Sequence, residues 1–249
     1  MVEGNYAQAV AQASEALSIG RRLGSTRLIF DGLTILGRLD LLQEQTLKAA
    51  EMFEESLAYA RRKEHKGYIA RALFNLGLLA WATGELERAS PAYTEALTSC
   101  QEAGEAYLEA IILCELGKVA FKQGDINEAK TLFKRVYVIK DLFHYFVTDP
   151  YNPAMLTLEA TAILAAVQGQ GKGNTRRLVA ATCLLGATEV EHKKAYFVRL
   201  PRERQEREAC IAALRLTMSE RDFTAAWAQG QSMALEQAVE YAKGLMHPE

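Results

Sequence analysis

RALFNLGLLAWATGELERASPAYTEA, residues 71 to 96, carries two helices and the turn between them. Within Arg71 to Thr83, Leu73, Leu76, Leu79 and Ala80 recur at three- and four-residue spacing, the helical period. Gly77 presents no side chain, so a neighbouring helix can approach closely there. Gly84 ends the first helix, because glycine takes the left-handed C-terminal position without steric penalty. Glu85 and Glu87 fall in the first turn of the second helix, where negative charge suits the helix dipole. Ala89, Tyr93 and Ala96 form the inner stripe of that helix.

The pattern recurs at a fixed interval. Ala9, Ala49, Ala89 and Ala129 keep it, and four positions after each stands Ala13, Phe53, Tyr93 or Phe133. Leu17, Leu57, Leu97 and Tyr137 follow in phase. Upstream, Leu33, Leu73 and Leu113 repeat, as do Leu36-Gly37, Leu76-Gly77 and Leu116-Gly117. Gly4, Gly84 and Gly124 mark the turns, with Glu44 in the remaining slot. A fixed period of this length marks a solenoid, whose units bury their apolar faces against their neighbours.

These residues resemble the tetratricopeptide repeat: Leu-Gly in the first helix, a Gly-Asp/Glu turn, then Ala, an aromatic and Ala. Gly77, Gly84, Ala89, Tyr93 and Ala96 fit one unit. Gly117, Gly124, Asp125, Ala129 and Phe133 fit the next, with Val136 in the last Ala slot. The usual repeat has about 34 residues and the interval from Ala49 to Ala89 is longer, so helices longer than usual are expected here. The resemblance implies an all-α, right-handed solenoid.

Gly4-Asn5-Tyr6 corresponds to the turn of a repeat that lacks its first helix. That leaves an apolar face uncovered at the start. The chain is read as a fragment of a longer protein, the other option being an end covered by another surface, including a dimer partner. After Phe133 the period breaks around HYFVTDPYNP, 144 to 153. A last pair of helices is expected at Ala154 to Gln168 and Arg177 to His192, with GQGKGN as a loop between them. Repeats thus occupy 1–193. Capping helices occupy 194–249: Arg202 to Leu216, Glu220 to Gln229 ended by Gly230, and Leu235 to Lys243.

The C-terminal run resembles the end of LuxR-type regulators and related STAND-class signalling ATPases with tetratricopeptide sensor arrays. The matching positions are Phe223, Ala226, Trp227, Gly230, Met233, Glu236, Ala238 and Ala242, together with Ala181 to Ala187 and Leu200-Pro201. The ATPase and DNA-binding modules of that family have no counterpart in this sequence. The resemblance implies a cytoplasmic sensor or interaction module of a signalling or transcription regulator. A freestanding scaffold for complex assembly is the alternative.

Composition narrows the classes further. The 249 residues are 49% hydrophobic and 24% charged with net charge −2, which provides no global field for nucleic acid or anionic lipid. No apolar run is long enough to span a bilayer. Cys100, Cys114, Cys183 and Cys210 lack paired spacing, and no His or Cys pairs at metal-ligand spacing, so neither a metal nor a cofactor is expected. GQGKGN departs from a phosphate loop: Ala166 stands where Gly is needed and Gly173 where Ser or Thr is needed. Arg21-Arg22 and Arg61-Arg62-Lys63 repeat in phase, but at helix C-termini, where cations complement the dipole. Asp31, Asp40, Glu115 and Asp125 form no catalytic carboxylate pair by spacing, and the chain is read as non-catalytic.

Side chains of the first helices that miss the packing stripe would line the concave surface on which such arrays grip extended peptides. By register these are Asp31, Thr34, Arg38, Arg71, Phe74, Asn75, Leu78, Trp81, Cys114, Glu115, Lys118 and Phe121. Phe74, Trp81 and Phe121 are the expected apolar anchors, and Arg71, Asn75, Trp81 and Lys118 are expected to face solvent. A protein or peptide is the expected partner, with a small-molecule effector as the other ligand class. At the far end, Trp227 is expected to anchor the cap near Leu184 or the 194–216 helix.

Overall fold

The computed structural model describes residues 3–139, 152–194 and 199–246. Among the described residues twelve helices and no strand occur: α1 Glu3–Leu23, α2 Thr26–Leu42, α3 Thr46–Arg62, α4 Lys66–Thr83, α5 Leu86–Ala103, α6 Ala106–Lys122, α7 Ile126–Tyr137, α8 Pro153–Lys172, α9 Thr175–Lys194, α10 Pro201–Thr217, α11 Glu220–Gln231 and α12 Leu235–Leu245. They form two compact units, Met1–Ile112 and Leu113–Glu249, which part within α6.

In the first unit α1 packs on α2, α2 on α3, α3 on α4 and α4 on α5, and α2 also touches α4. The glycines of the repeat explain the close pairing. A Cβ built on Gly37 would stand 2.5 Å from Phe53 Cε1, and one on Gly77 2.5 Å from Tyr93 Cε1. Ala49, Phe53, Ala89 and Tyr93 are fully buried. Leu17, Ile29 and Leu33 form a core patch onto which Leu36, Met52 and Tyr59 pack. The turns recur at even spacing in the left-handed region: Gly24, Glu44, Glu64, Gly84, Gly104 and Gly124 all have positive φ. The basic helix ends also act between repeats. Arg21 pairs with Glu55 at 2.6 Å, and in the next repeat the equivalent Arg61 pairs with Glu95 at 2.8 Å.

In the second unit the ring of Phe133 lies over Gly117, continuing the pattern. Asp125 caps α7 by accepting from the Glu128 amide at 2.9 Å. Asn152 caps α8, with Pro153 in its first turn. α8 packs on α9, α9 on α11, and α12 on α7, α8 and α9.

Three local expectations are corrected. Gly4-Asn5-Tyr6 lies within α1, not in a turn. α8 runs on to Lys172, so most of GQGKGN is helix and the turn falls at Gly173, φ 60. Gly230 lies inside α11, where it serves packing: a Cβ there would collide with the Cys183 carbonyl. Of the expected insertion at 144–153, residues 144–151 lie outside the described residues.

Candidate partner-binding surfaces

Asp31 to Trp81 belong to the first unit and Cys114 to Phe121 to the second. In the first unit, α2 presents Asp31, Thr34 and Arg38 at three- and four-residue spacing, all half-buried. α4 presents Arg71, exposed, one turn before Asn75. Arg38 Nε donates to Asn75 Oδ1 at 2.9 Å, and its guanidinium lies 5.7 Å from the centroid of the Phe74 ring. Asn75 is buried, and among the described residues its Nδ2 and the Oγ1 of Thr34 have no hydrogen-bond partner. Asp31 is 3.6 Å from Arg27, and Arg71 donates to Glu105 at 3.3 Å.

The sequence register misses Tyr68, which stacks on Phe30 with centroids 4.4 Å apart and extends this surface by one turn. Its place three positions before Arg71 and seven before Asn75 is the signal that could have found it.

Several expected groove residues are core. Trp81, Phe74, Leu78, Cys114 and Glu115 are buried, as is Asn75. Trp81 has no exposed surface, so it is not an accessible anchor. The physical reason is the position of the first helix of each pair: it has neighbours on several sides, so the stripe that contacts them is wider than Leu, Gly and Ala alone. Asp31, Thr34, Arg38 and Phe121 keep partial exposure.

A second feature of the first unit lies on another face of α4. An open groove of about 450 Å³ is lined by Leu47 and Glu54 of α3, Leu79 of α4, and Glu87, Arg88 and Pro91 of α5. α5 continues through Pro91, which lines this groove.

In the second unit, Lys118 is not open to solvent. Its Nζ is 2.9 Å from Glu115 and 2.6 Å from Glu203 of α10. One turn on, Lys122 pairs with Glu206 at 2.9 Å. Arg207 of α10 reaches Glu159 of α8 at 2.9 Å and Glu189 of α9 at 2.8 Å, and Arg199 also pairs with Glu159. The face of α6 expected to meet a partner is thus covered by the chain's own α10.

Burial raises the Glu115 carboxyl well above the ordinary glutamate range, against the pull of Lys118; the Glu203 carboxylate adds to the rise. Burial works against the charge of Lys118, but Glu115 and Glu203 outweigh it and keep the ammonium charged. Burial pushes the Cys114 and Cys100 thiols to about 12, and those of Cys183 and Cys210 to about 11, so none is an activated nucleophile.

The cap also differs from expectation. Phe223 is its buried aromatic, and Trp227 is half-buried and stacks on Phe223 with centroids 5.6 Å apart. The guanidinium of Arg215 covers Phe223 at 4.2 Å. The Trp227 backbone, not its indole, closes on Gly186: a Cβ there would stand 2.5 Å from the Trp227 carbonyl.

Residues 68–140 match the tetratricopeptide repeat family. The structure is similar to the crystal structure of BtubC (BKLC) from P. vanneervenii, with a TM-score of 0.58 at 16% identity, covering 98% of this chain and 94% of that one. At that identity the likeness concerns the fold. No curated protein matches the chain. The fold is an all-α tetratricopeptide-repeat solenoid. No described helix is long and apolar enough to cross a membrane.

Proposed function

We propose that this chain is a non-catalytic protein-interaction module, and that the surface of α2 and α4 around Arg38 and Asn75 receives an extended peptide or a partner segment. The observation that carries the reading is the pair of unmet polar atoms beside Arg38: Asn75 Nδ2, a donor, and Thr34 Oγ1, a donor or acceptor. Buried polar groups without partners are destabilising by about 1–3 kcal/mol each. A main-chain carbonyl and amide arriving with a partner would relieve both, once the Arg38 side chain moves aside. Tyr68 and Arg71 flank the position and are residue types that dominate interface energetics.

The tetratricopeptide match supports a protein partner, and the C-terminal resemblance at Phe223, Trp227, Gly230 and Ala242 supports a cytoplasmic sensor segment of a signalling regulator. In that arrangement residues 1–193 are the repeats and 194–249 the closing segment.

The test is selection of peptides from a displayed library on the full chain, followed by affinity measurement on Thr34→Val and Asn75→Ala. A loss of about tenfold or more, roughly 1.4 kcal/mol, with an unchanged circular dichroism spectrum supports the reading. Undiminished binding to both variants overturns it. A partner that binds while the surface around Arg38 stays solvent-exposed would favour the scaffold alternative.

A further inference from the structure

The face of α6 in the second unit bears an inference of its own, independent of the surface on α2 and α4. α10 is attached there in an unusual way for a packed helix. Along its 17 residues only Arg207 and Leu214 are buried, and Leu216 is 89% exposed. By contrast, every residue of α9 from Ala180 to Thr188 is buried. Apart from Leu214, which is fully buried, the Arg207 contact with the Leu185 carbonyl and the Arg215 contact with the Phe223 ring, the helix is joined to its neighbours by charge: Glu203 to Lys118, Glu206 to Lys122, and Arg207 to Glu159 and Glu189.

These ions are largely withdrawn from water. The side chains of Lys118 and Glu203 are 14% and 12% exposed, and those of Arg207 and Glu159 10% and 12%. Removing such groups from water opposes docking nearly as strongly as their mutual attraction favours it. The pairing therefore specifies which helix sits there and in what register more than it holds that helix in place. The receiving face reads Lys118 and Lys122 one turn apart, then Glu159 and Glu189. Its complement is two carboxylates at three-residue spacing followed at once by a guanidinium, which in α10 is Glu203-Arg204-Gln205-Glu206-Arg207.

We propose that α10 is a displaceable occupant of this face, and that the face receives in trans a helix bearing the pattern Glu-x-x-Glu-Arg. In the closed chain α10 competes with that partner, so the surface is self-masked. The apparent affinity for the partner is the intrinsic affinity multiplied by the fraction of chains in which the face is open.

The probe is a fluorescently labelled synthetic peptide of residues 199–217. Its binding is measured by anisotropy to the full wild-type chain and to the double variant Glu203→Lys, Glu206→Lys. The opened variant should bind the peptide at least about tenfold more tightly than wild type. Adding Lys118→Glu to the opened variant, or Glu203→Lys and Glu206→Lys to the peptide, should abolish the gain. Equal affinity for wild type and opened chain, or no binding to either, overturns the proposal. If the charge reversal unfolds the chain, the milder pair Glu203→Gln, Glu206→Gln replaces it. Unfolding of that variant too makes α10 an integral part of the fold and also overturns the proposal. Doubling of the mass by exchange of α10 between copies overturns it as well, since the occupant would then be a second copy.

Discussion

The ring of Tyr93 occupies the space where any side chain on Gly77 would have to stand. Tyr93 is fully buried and belongs to the next helix, so the pair fixes how closely α4 and α5 approach. Gly77→Leu should therefore destabilise the chain by about 1–3 kcal/mol, the usual penalty for overpacking. Chemical denaturation followed by circular dichroism checks this. A variant with the wild-type midpoint would show that the pair does not set the helix spacing.

Glu44 and Glu64 stand in the left-handed region, φ 59 and 50, at slots that Gly84 and Gly104 hold in the following repeat. An L-residue there is disfavoured by about 1–2 kcal/mol, and glycine gives back roughly 0.5–1 through its freer unfolded chain. Glu44→Gly and Glu64→Gly should each stabilise by about 0.5–1 kcal/mol. Gly84→Ala should do the reverse. Urea midpoints decide the sign.

Glu115 shares one ammonium, Lys118, with Glu203, and Cys114 and Glu206 lie near the same cluster. Its folded pKa is above its unfolded value, so the fold binds the proton more tightly than the unfolded chain does. That contribution is fully present below the unfolded pKa and is lost as pH rises through the folded one. Between about pH 5 and pH 8, wild type should lose stability relative to Glu115→Gln by on the order of 1 kcal/mol or more. Parallel stability profiles for the two proteins would contradict the assignment.

The anchor of the C-terminal segment is Phe223. Phe223→Ala should destabilise α11 by about 3–5 kcal/mol, as for other buried aromatics. Trp227→Ala should have the smaller effect, because Trp227 is only half-buried. Limited proteolysis reads the difference: residues 219 to 246 should be cut in the first variant well before the second. Equal cutting would return the anchor to Trp227.

Much of the fold was legible because its chemistry is local. Gly84 and Gly124 supply a backbone conformation that other residues resist, and the Leu, Ala and aromatic positions return at helical spacing. Each turn and stripe is therefore written within a short stretch of chain. Local spacing misled at Gly230, where a glycine that reads as a helix end instead lets two helix backbones meet, at Cys183. It misled again at Trp81, because the width of a buried stripe depends on how many helices surround it.

The repeating helix pairs, their period and most of the turns follow from backbone preference and from side chains close along the chain. Which polar residues stay exposed and which pair with one another follows from the tertiary structure alone. Lys118 and Glu203 are 85 residues apart, and nothing in their local surroundings states that they meet. Their pairing depends on the path of the chain through α7, α8 and α9. Charge complementarity acts through space, not along the sequence.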